Sequence, residues 1–284
     1  MNKFFYLAGL IFLLSHFPLA AQDDGIRLIV RSDDMGFSHA ANLAIIESVE
    51  KGITTSVEVM VPTPWFPEAV ALLQNYPELD VGIHITLTSE WTNVKWRPLT
   101  HAPSLTDGNG YFYPMIWPNE HYGAEQALSR QNWKLKEIEQ EIRAQIEIAQ
   151  KNIPQLTHLS AHMGCTSIAP EVEAIYRKLA MEYALDIHPE DYQVKRATYL
   201  GEKETPAQKK QAFIKMLAEL QAGVHMFVDH PAYDVPETRA IHHTGYEDVA
   251  HDRQGVTDML TDPDVLQAIK KYGIRLISYA DLKK

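Results

Sequence analysis

Apolar runs of strand character and stretches of helical period take turns along most of this chain. RLIVR at 27–31 reads as a compact β-rich run, and HAANLAIIESVEKG at 39–52 has helical spacing that stops at Gly52. TSVEVMV (55–61) predicts a strand, WFPEAVALLQNY (65–76) a helix and DVGIHITL (80–87) a strand again. LKEIEQEIRAQIEIAQKN (135–152) predicts a long amphipathic helix with Ile138, Ile142 and Ile146 on its apolar face. QLTHLSAH (155–162) predicts a strand, EVEAIYRKLAMEY (171–183) a helix behind Pro170, and ALDIH (184–188) a short strand. AQKKQAFIKMLAELQAG (207–223) and PDVLQAIKKYG (263–273) predict helices, each next to a strand, VHMFVDH (224–230) and IRLISY (274–279). Seven strands separated mostly by helices imply a parallel sheet with right-handed crossovers. The expected fold is a deformed (β/α) barrel of about seven parallel strands, one domain over 22–284, with an open doubly wound sheet as the alternative. The segment at about 88–130 breaks the rhythm and reads as an irregular, aromatic-rich lid insertion.

The first 21 residues stand apart. Asn2 and Lys3 precede FFYLAGLIFLLSHFPLAAQ, which exits through Ala20 and Ala21. A basic start, an apolar stretch and a small-residue exit predict a secretory signal peptide, hence a secreted or periplasmic protein. A membrane anchor is the alternative, but Ser15, His16 and Pro18 interrupt the run. No later stretch approaches about 18 uninterrupted apolar residues, so no membrane association is expected after signal removal.

Composition narrows the partners. The 284 residues are 45% hydrophobic with a net charge of −11, and an acidic surface repels phosphate backbones, so nucleic acid is not an expected partner. Cys165 is the only cysteine, which excludes an internal disulfide and reads as a buried small residue. Self-association stays open.

Acids and imidazoles collect at predicted strand ends: Asp33, Asp34, His84, His162, His188, Asp229 and His230. In a barrel of this kind the C-terminal rim carries the chemistry. Two imidazoles and a carboxylate suit one divalent metal ion. A cation would offset the repulsion between Asp33 and Asp34, one coordinating while its neighbour takes a proton from water. Adjacent strand residues point to opposite faces, so both can serve one site only if the strand stops, and Met35-Gly36 is the expected break. Ser38 is the better helix cap than Asp34. His158 is an alternative ligand lower on the strand of His162, while His242, His243 and His251 read as a polar loop.

These motifs, in order, resemble the YdjC-like carbohydrate deacetylases, the group containing chitooligosaccharide deacetylase. SDDMGFS stands for the Asp-Asp-Phe-Gly turn, VGIHITLT for the third strand, LTHLSAHMG for the fourth-strand histidine motif and VDHPAYD for the His-Pro-Gly turn; DRQGVTDML and IRLISYADL follow. The resemblance implies hydrolysis of the N-acetyl group of an amino sugar or chitooligosaccharide-like substrate. It implies Asp34, His84 and His162 as ligands of a Zn²⁺ or Mg²⁺ ion, Asp33 as base, His230 as proton donor and Arg253 as an orienting or substrate-binding group. Met35, Ala232 and Ser160-Ala161 depart from the family's usual Phe, Gly and Asp-Ser. Trp91 and Tyr113, from the aromatic segment, are candidate sugar-stacking residues, or they pack that segment onto the barrel. The competing readings are a glycoside hydrolase pairing Asp33 with Asp229, which would leave the histidines without a role, and a non-catalytic carbohydrate-binding relative.

Overall fold

The computed structural model describes residues 25–284, so the expected signal peptide lies outside the described residues. Seven strands form one sheet: β1 (Ile26–Met35), β2 (Ser56–Val59), β3 (Asp80–Ile85), β4 (Leu156–Ala161), β5 (Lys195–Arg196), β6 (Gly223–Asp229) and β7 (Arg275–Leu276). Every pairing is parallel, in the order β4-β3-β2-β1-β6-β5, with β7 on the N-terminal part of β1. β4 and β5 do not pair, so the sheet curls into a half-barrel with an open seam between them. Eight helices flank it: α1 (His39–Glu50), α2 (Phe66–Leu73), α3 (Leu135–Asn152), α4 (Pro170–Glu182), α5 (Pro206–Glu219), α6 (Pro236–Arg239), α7 (Val249–Thr261) and α8 (Pro263–Lys271). Among the described residues no helix is long and apolar enough to cross a membrane.

The two-residue period of β1 sorts its side chains into different cores. Leu28 and Val30 pack outward with Phe213, Val256 and Ile269 of α5, α7 and α8. Ile29 packs inward with Met226, Ile277 and Tyr279. On the far side, Ile138, Ile142 and Ile146 of α3 are fully buried against Val81, Ile83 and Ile85 of β3. Burial of each such side chain contributes about 1.5–3 kcal/mol. Ser38 does cap α1, accepting from the Ala41 N–H at 3.1 Å.

Two elements differ from the pattern-based expectation. ALDIH (184–188) is not a strand. Ala184 takes a positive φ of 57° and the Leu185 N–H donates back to the Ala180 carbonyl at 2.7 Å, so the chain turns out of α4. Leu185 and Ile187 are buried without forming a ladder, and the fifth strand falls at 195–196. The second is α7, which carries His251 on a helix rather than in a loop. Gly255 and several poor helix formers hide it in the sequence, whereas packing of Val256, Met259 and Leu260 supplies its stability. The 88–130 segment is irregular as expected, with short 3₁₀ turns, but Trp91, Trp96 and Phe112 are buried and pin it to the rim.

Gly82 on β3 sits beside two fully buried polar groups. A Cβ there would lie 2.5 Å from His158 Nε2 and against the Glu58 carboxylate. Gly82→Ala is therefore expected to lose roughly 1–3 kcal/mol or more through overpacking. Urea denaturation checks this, and an unchanged midpoint would show slack where the structure has none.

Candidate metal centre

The inward face of β1 continues from Ile29 through Arg31 to Asp33. Strict alternation would send Asp34 outward. Instead Asp34 adopts φ 68°, and the β1–β2 register shifts between Ser32 and Met35. A left-handed conformation costs a non-glycine residue about 1–2 kcal/mol, least for Asn and Asp. This bulge, and not an end of the strand at Met35-Gly36, turns both carboxylates into one pocket; β1 itself runs on through Met35.

The pocket has a volume of about 480 Å³ and is lined by Asp33, Asp34, His84, Glu90, His162, His230 and Arg253, among others. Asp34, His84 and His162 each offer one ligand atom, all within 4.8 Å of one another. Asp34 Oδ1 lies 3.6 Å from His84 Nε2 and 3.3 Å from His162 Nδ1. That oxygen is buried and has no hydrogen bond, while Oδ2 accepts from Arg253 Nη2 at 2.9 Å. An orphaned carboxylate oxygen facing two imidazole nitrogens fits a divalent cation. Asp33 is clamped by Arg31, whose Nη2 donates to Oδ2 at 2.8 Å and whose Nε lies 2.7 Å from Oδ1. Asp33 Oδ2 remains 3.6 Å from His84 Nε2.

Burial acts to raise the pKa of Asp34, yet the His230 and Arg253 charges hold it well below the usual carboxylate range. Burial lowers His84 to about 4, with His162 adding to the effect. Burial opposes the charge on His162 too, but Glu90 and Asp34 raise it to about 10. Glu90 is the participant that sequence reasoning missed. Its Oε2 lies 3.1 Å from His162 Nε2, so it can orient the ring while Nδ1 faces Asp34. The only signal was an acid beside Trp91 in a segment read for its aromatics.

His230, half-exposed at the end of β6, sits beside Asp229, whose Oδ1 accepts the His230 backbone N–H at 2.9 Å and lies 3.6 Å from Nδ1. Burial opposes its charge, but Asp34 and Asp229 raise its pKa overall. Asp229 Oδ2 accepts from Tyr199 OH at 2.6 Å, so this acid is committed to its neighbours and makes a poor partner for Asp33 in a glycosidase pair. Arg253 lies over the Phe37 and Trp91 rings, 4.8 and 5.2 Å from their centroids. Trp91 lines the pocket, but its faces are covered by Phe37, His243 and Arg253; its indole N–H has no partner. Tyr113 lies outside this pocket, in a neighbouring cavity that also touches Glu90. His158 is buried below the site, and His188 lines a side cavity. Cys165 donates to the Ile85 carbonyl at 3.2 Å, and burial pushes its thiol up to about 12, which removes it as a nucleophile.

A parallel half-barrel with acids and imidazoles at the C-terminal rim defines the class, and similarity to known proteins defines the family. Residues 27–271 match the family described as YdjC-like protein, and the chain belongs to it. It is 32% identical over 235 residues to a carbohydrate deacetylase of Thermus thermophilus, covering 75% of this chain and 80% of that protein. It is 29% identical over 273 residues to a chitooligosaccharide deacetylase of Yersinia enterocolitica, covering 89% of this chain and 98% of the relative. The fold matches a crystal structure from Enterococcus faecalis V583, described as a candidate cellobiose-phosphate cleavage protein, with a TM-score of 0.69 and 24% identity over 91% of this chain and 99% of that one.

Arg253→Met would remove the guanidinium that donates to the buried Asp34 carboxylate and leave it only the neighbouring imidazoles. In chelator-treated protein the expected loss is roughly 3–5 kcal/mol near neutral pH by urea denaturation. Because folding depresses the Asp34 pKa, the stability from this pair is complete above the unfolded value of about 3.9 and fades as pH falls below it. The difference between wild type and variant should therefore shrink in acid.

Proposed function

We propose that this chain is a divalent-metal-dependent hydrolase that removes the N-acetyl group from an amino sugar or a short amino-sugar oligosaccharide. The observation that carries the reading is the orphaned Asp34 Oδ1 facing His84 Nε2 and His162 Nδ1, with a second acid, Asp33, clamped alongside. The names of the relatives, carbohydrate and chitooligosaccharide deacetylases, support the same chemistry. Held by Asp34, His84 and His162, the cation would supply Lewis acidity toward the acetyl carbonyl and toward water. Two imidazoles favour Zn²⁺, with Mg²⁺ the alternative.

The chain's own groups then have these tasks. Asp33, kept in place by Arg31, accepts the proton of the attacking water as its oxygen bonds to the acetyl carbon. His230, with its pKa raised, delivers a proton to the nitrogen as the C–N bond breaks. The products are acetate and a free amine. The unpartnered Trp91 Nε1 and Arg253 Nη1 supply donors at the pocket wall. A side cavity of about 220 Å³ adjoins the pocket at Arg31, Ala161 and Arg196, in the seam between β4 and β5, and supports a substrate longer than one ring. The opening segment, read as a signal peptide, supports a secreted or periplasmic location.

Acetate release from a panel of N-acetylated sugars tests the reading. Activity is expected to disappear on chelation and return with added Zn²⁺, and chelator-insensitive activity would sink it. Asp33→Asn should keep Zn²⁺ binding and lose about 10²–10⁴ in turnover. Wild-type turnover in that variant would remove Asp33 as the base.

Burial opposes a charged His230, but Asp34 and Asp229 raise its pKa overall, which favours the protonated donor. Turnover is expected to fall on the basic side as His230 loses its proton, at a pH above that of an ordinary imidazole. His230→Gln should lose that basic limb together with much of the rate; a limb that survives assigns the proton to another group.

A further inference from the structure

Glu58, on β2 next to β1, is a fully buried carboxylate that the proposed chemistry leaves without a task. Its surroundings assign one. Ser160 Oγ donates to Glu58 Oε2, and Ser160 Oγ also lies 2.7 Å from His84 Nδ1. On its other side, Glu58 Oε1 lies 2.6 Å from His158 Nε2. His158 Nδ1 is in turn 2.7 Å from Thr157 Oγ1, and Thr157 donates to Asp80 Oδ1 at 2.6 Å. Glu58, His84, His158 and Asp80 are all buried, so these contacts are not exchanged for water.

A hydroxyl carries one proton. A carboxylate can only accept, so the Ser160 proton goes to Glu58. The lone pair left on Ser160 Oγ then accepts from His84 Nδ1–H. That leaves Nε2, the nitrogen facing Asp34 Oδ1, with its lone pair free. A second strand of the same floor reaches Asp33: the His158 ring stacks on Tyr279 at 3.5 Å and 6°, and Tyr279 OH accepts from Arg31 Nη1 at 2.9 Å. Gly82 leaves the space that the Glu58–His158 pair occupies.

We infer that Glu58 and Ser160 are positioning residues that hold His84 in the Nδ1–H tautomer, presenting Nε2 to the metal centre. The inference rests on the proposed metal site only for its second measurement. The first needs neither metal nor substrate. ¹⁵N NMR of His84 in the full chain is expected to report a protonated Nδ1 and a bare Nε2, and Ser160→Ala should abolish that preference without unfolding the protein. Zn²⁺ titration should then show affinity about 10–100-fold weaker in Ser160→Ala, with Ser160→Thr restoring it because the hydroxyl returns. Glu58→Gln should move both measurements the same way; if it does not fold, the two Ser160 variants decide the matter. A His84 tautomer unchanged in Ser160→Ala overturns the inference, as does Zn²⁺ affinity that depends on neither hydroxyl nor carboxylate. A protein that releases no acetate but whose tautomer and Zn²⁺ affinity respond as stated keeps the positioning role and loses the deacetylase reading.

Discussion

The site depends on one backbone constraint: two consecutive carboxylates must face the same pocket from a strand whose geometry sends neighbours apart. The positive φ of Asp34 solves it locally, and two guanidinium groups make it electrostatically tolerable. Arg31 holds Asp33 from within β1, and Arg253 holds Asp34 from α7. Without both, adjacent buried anions would carry a desolvation cost far above the roughly 1–2 kcal/mol of the strained backbone. The two arginines also differentiate the acids. Both Asp33 oxygens lie against the Arg31 fork, whereas Asp34 has Oδ2 held by Arg253 and Oδ1 facing two imidazoles.

The half-barrel supplies the second condition. Parallel strands bring β1, β3 and β4 side by side around β2, so residues far apart in sequence end at one rim. Beneath the rim, polar groups that would be costly if left unpaired are linked into a floor from His84 to Asp80, with a stacked His158–Tyr279 pair leading back to Arg31. Such a floor leaves its members little freedom, and Gly82 marks how little space remains. Above it, the rim segment carrying Glu90 and Trp91 is buried and reaches His162 through Glu90.

Much of this was legible beforehand where a periodic pattern and burial agree. The α3 helix with Ile138, Ile142 and Ile146 falls where its spacing puts it, and the strand-end positions of Asp33, His84, His162 and His230 follow from the alternation of elements. The errors have physical causes. The 184–188 run is apolar because it is buried after a tight helix end, and apolarity alone does not distinguish that from a strand. The α7 helix is stabilised by its packing against α5 and carries a poor intrinsic propensity, so His251 read as part of a loop. Of the two readings open for Trp91, sugar stacking or packing of its segment, the sequence shows only the aromaticity; the cover that Phe37, His243 and Arg253 give its ring is tertiary.

By itself, the sequence determined which chemical groups are available and in what order: a carboxylate pair after the first strand, single histidines after the third and fourth, and a His-Pro turn after the sixth. Those follow from local propensity and periodicity, which act over a few residues. Only the tertiary structure decided that Asp34 turns inward, that Arg253 and not solvent neutralises it, that Glu90 attends His162, and that Glu58 reaches His84 through Ser160. Each of these is a contact between distant segments, set by strand register and by the demand that every buried charge find a partner, and neither is written in any single stretch of chain.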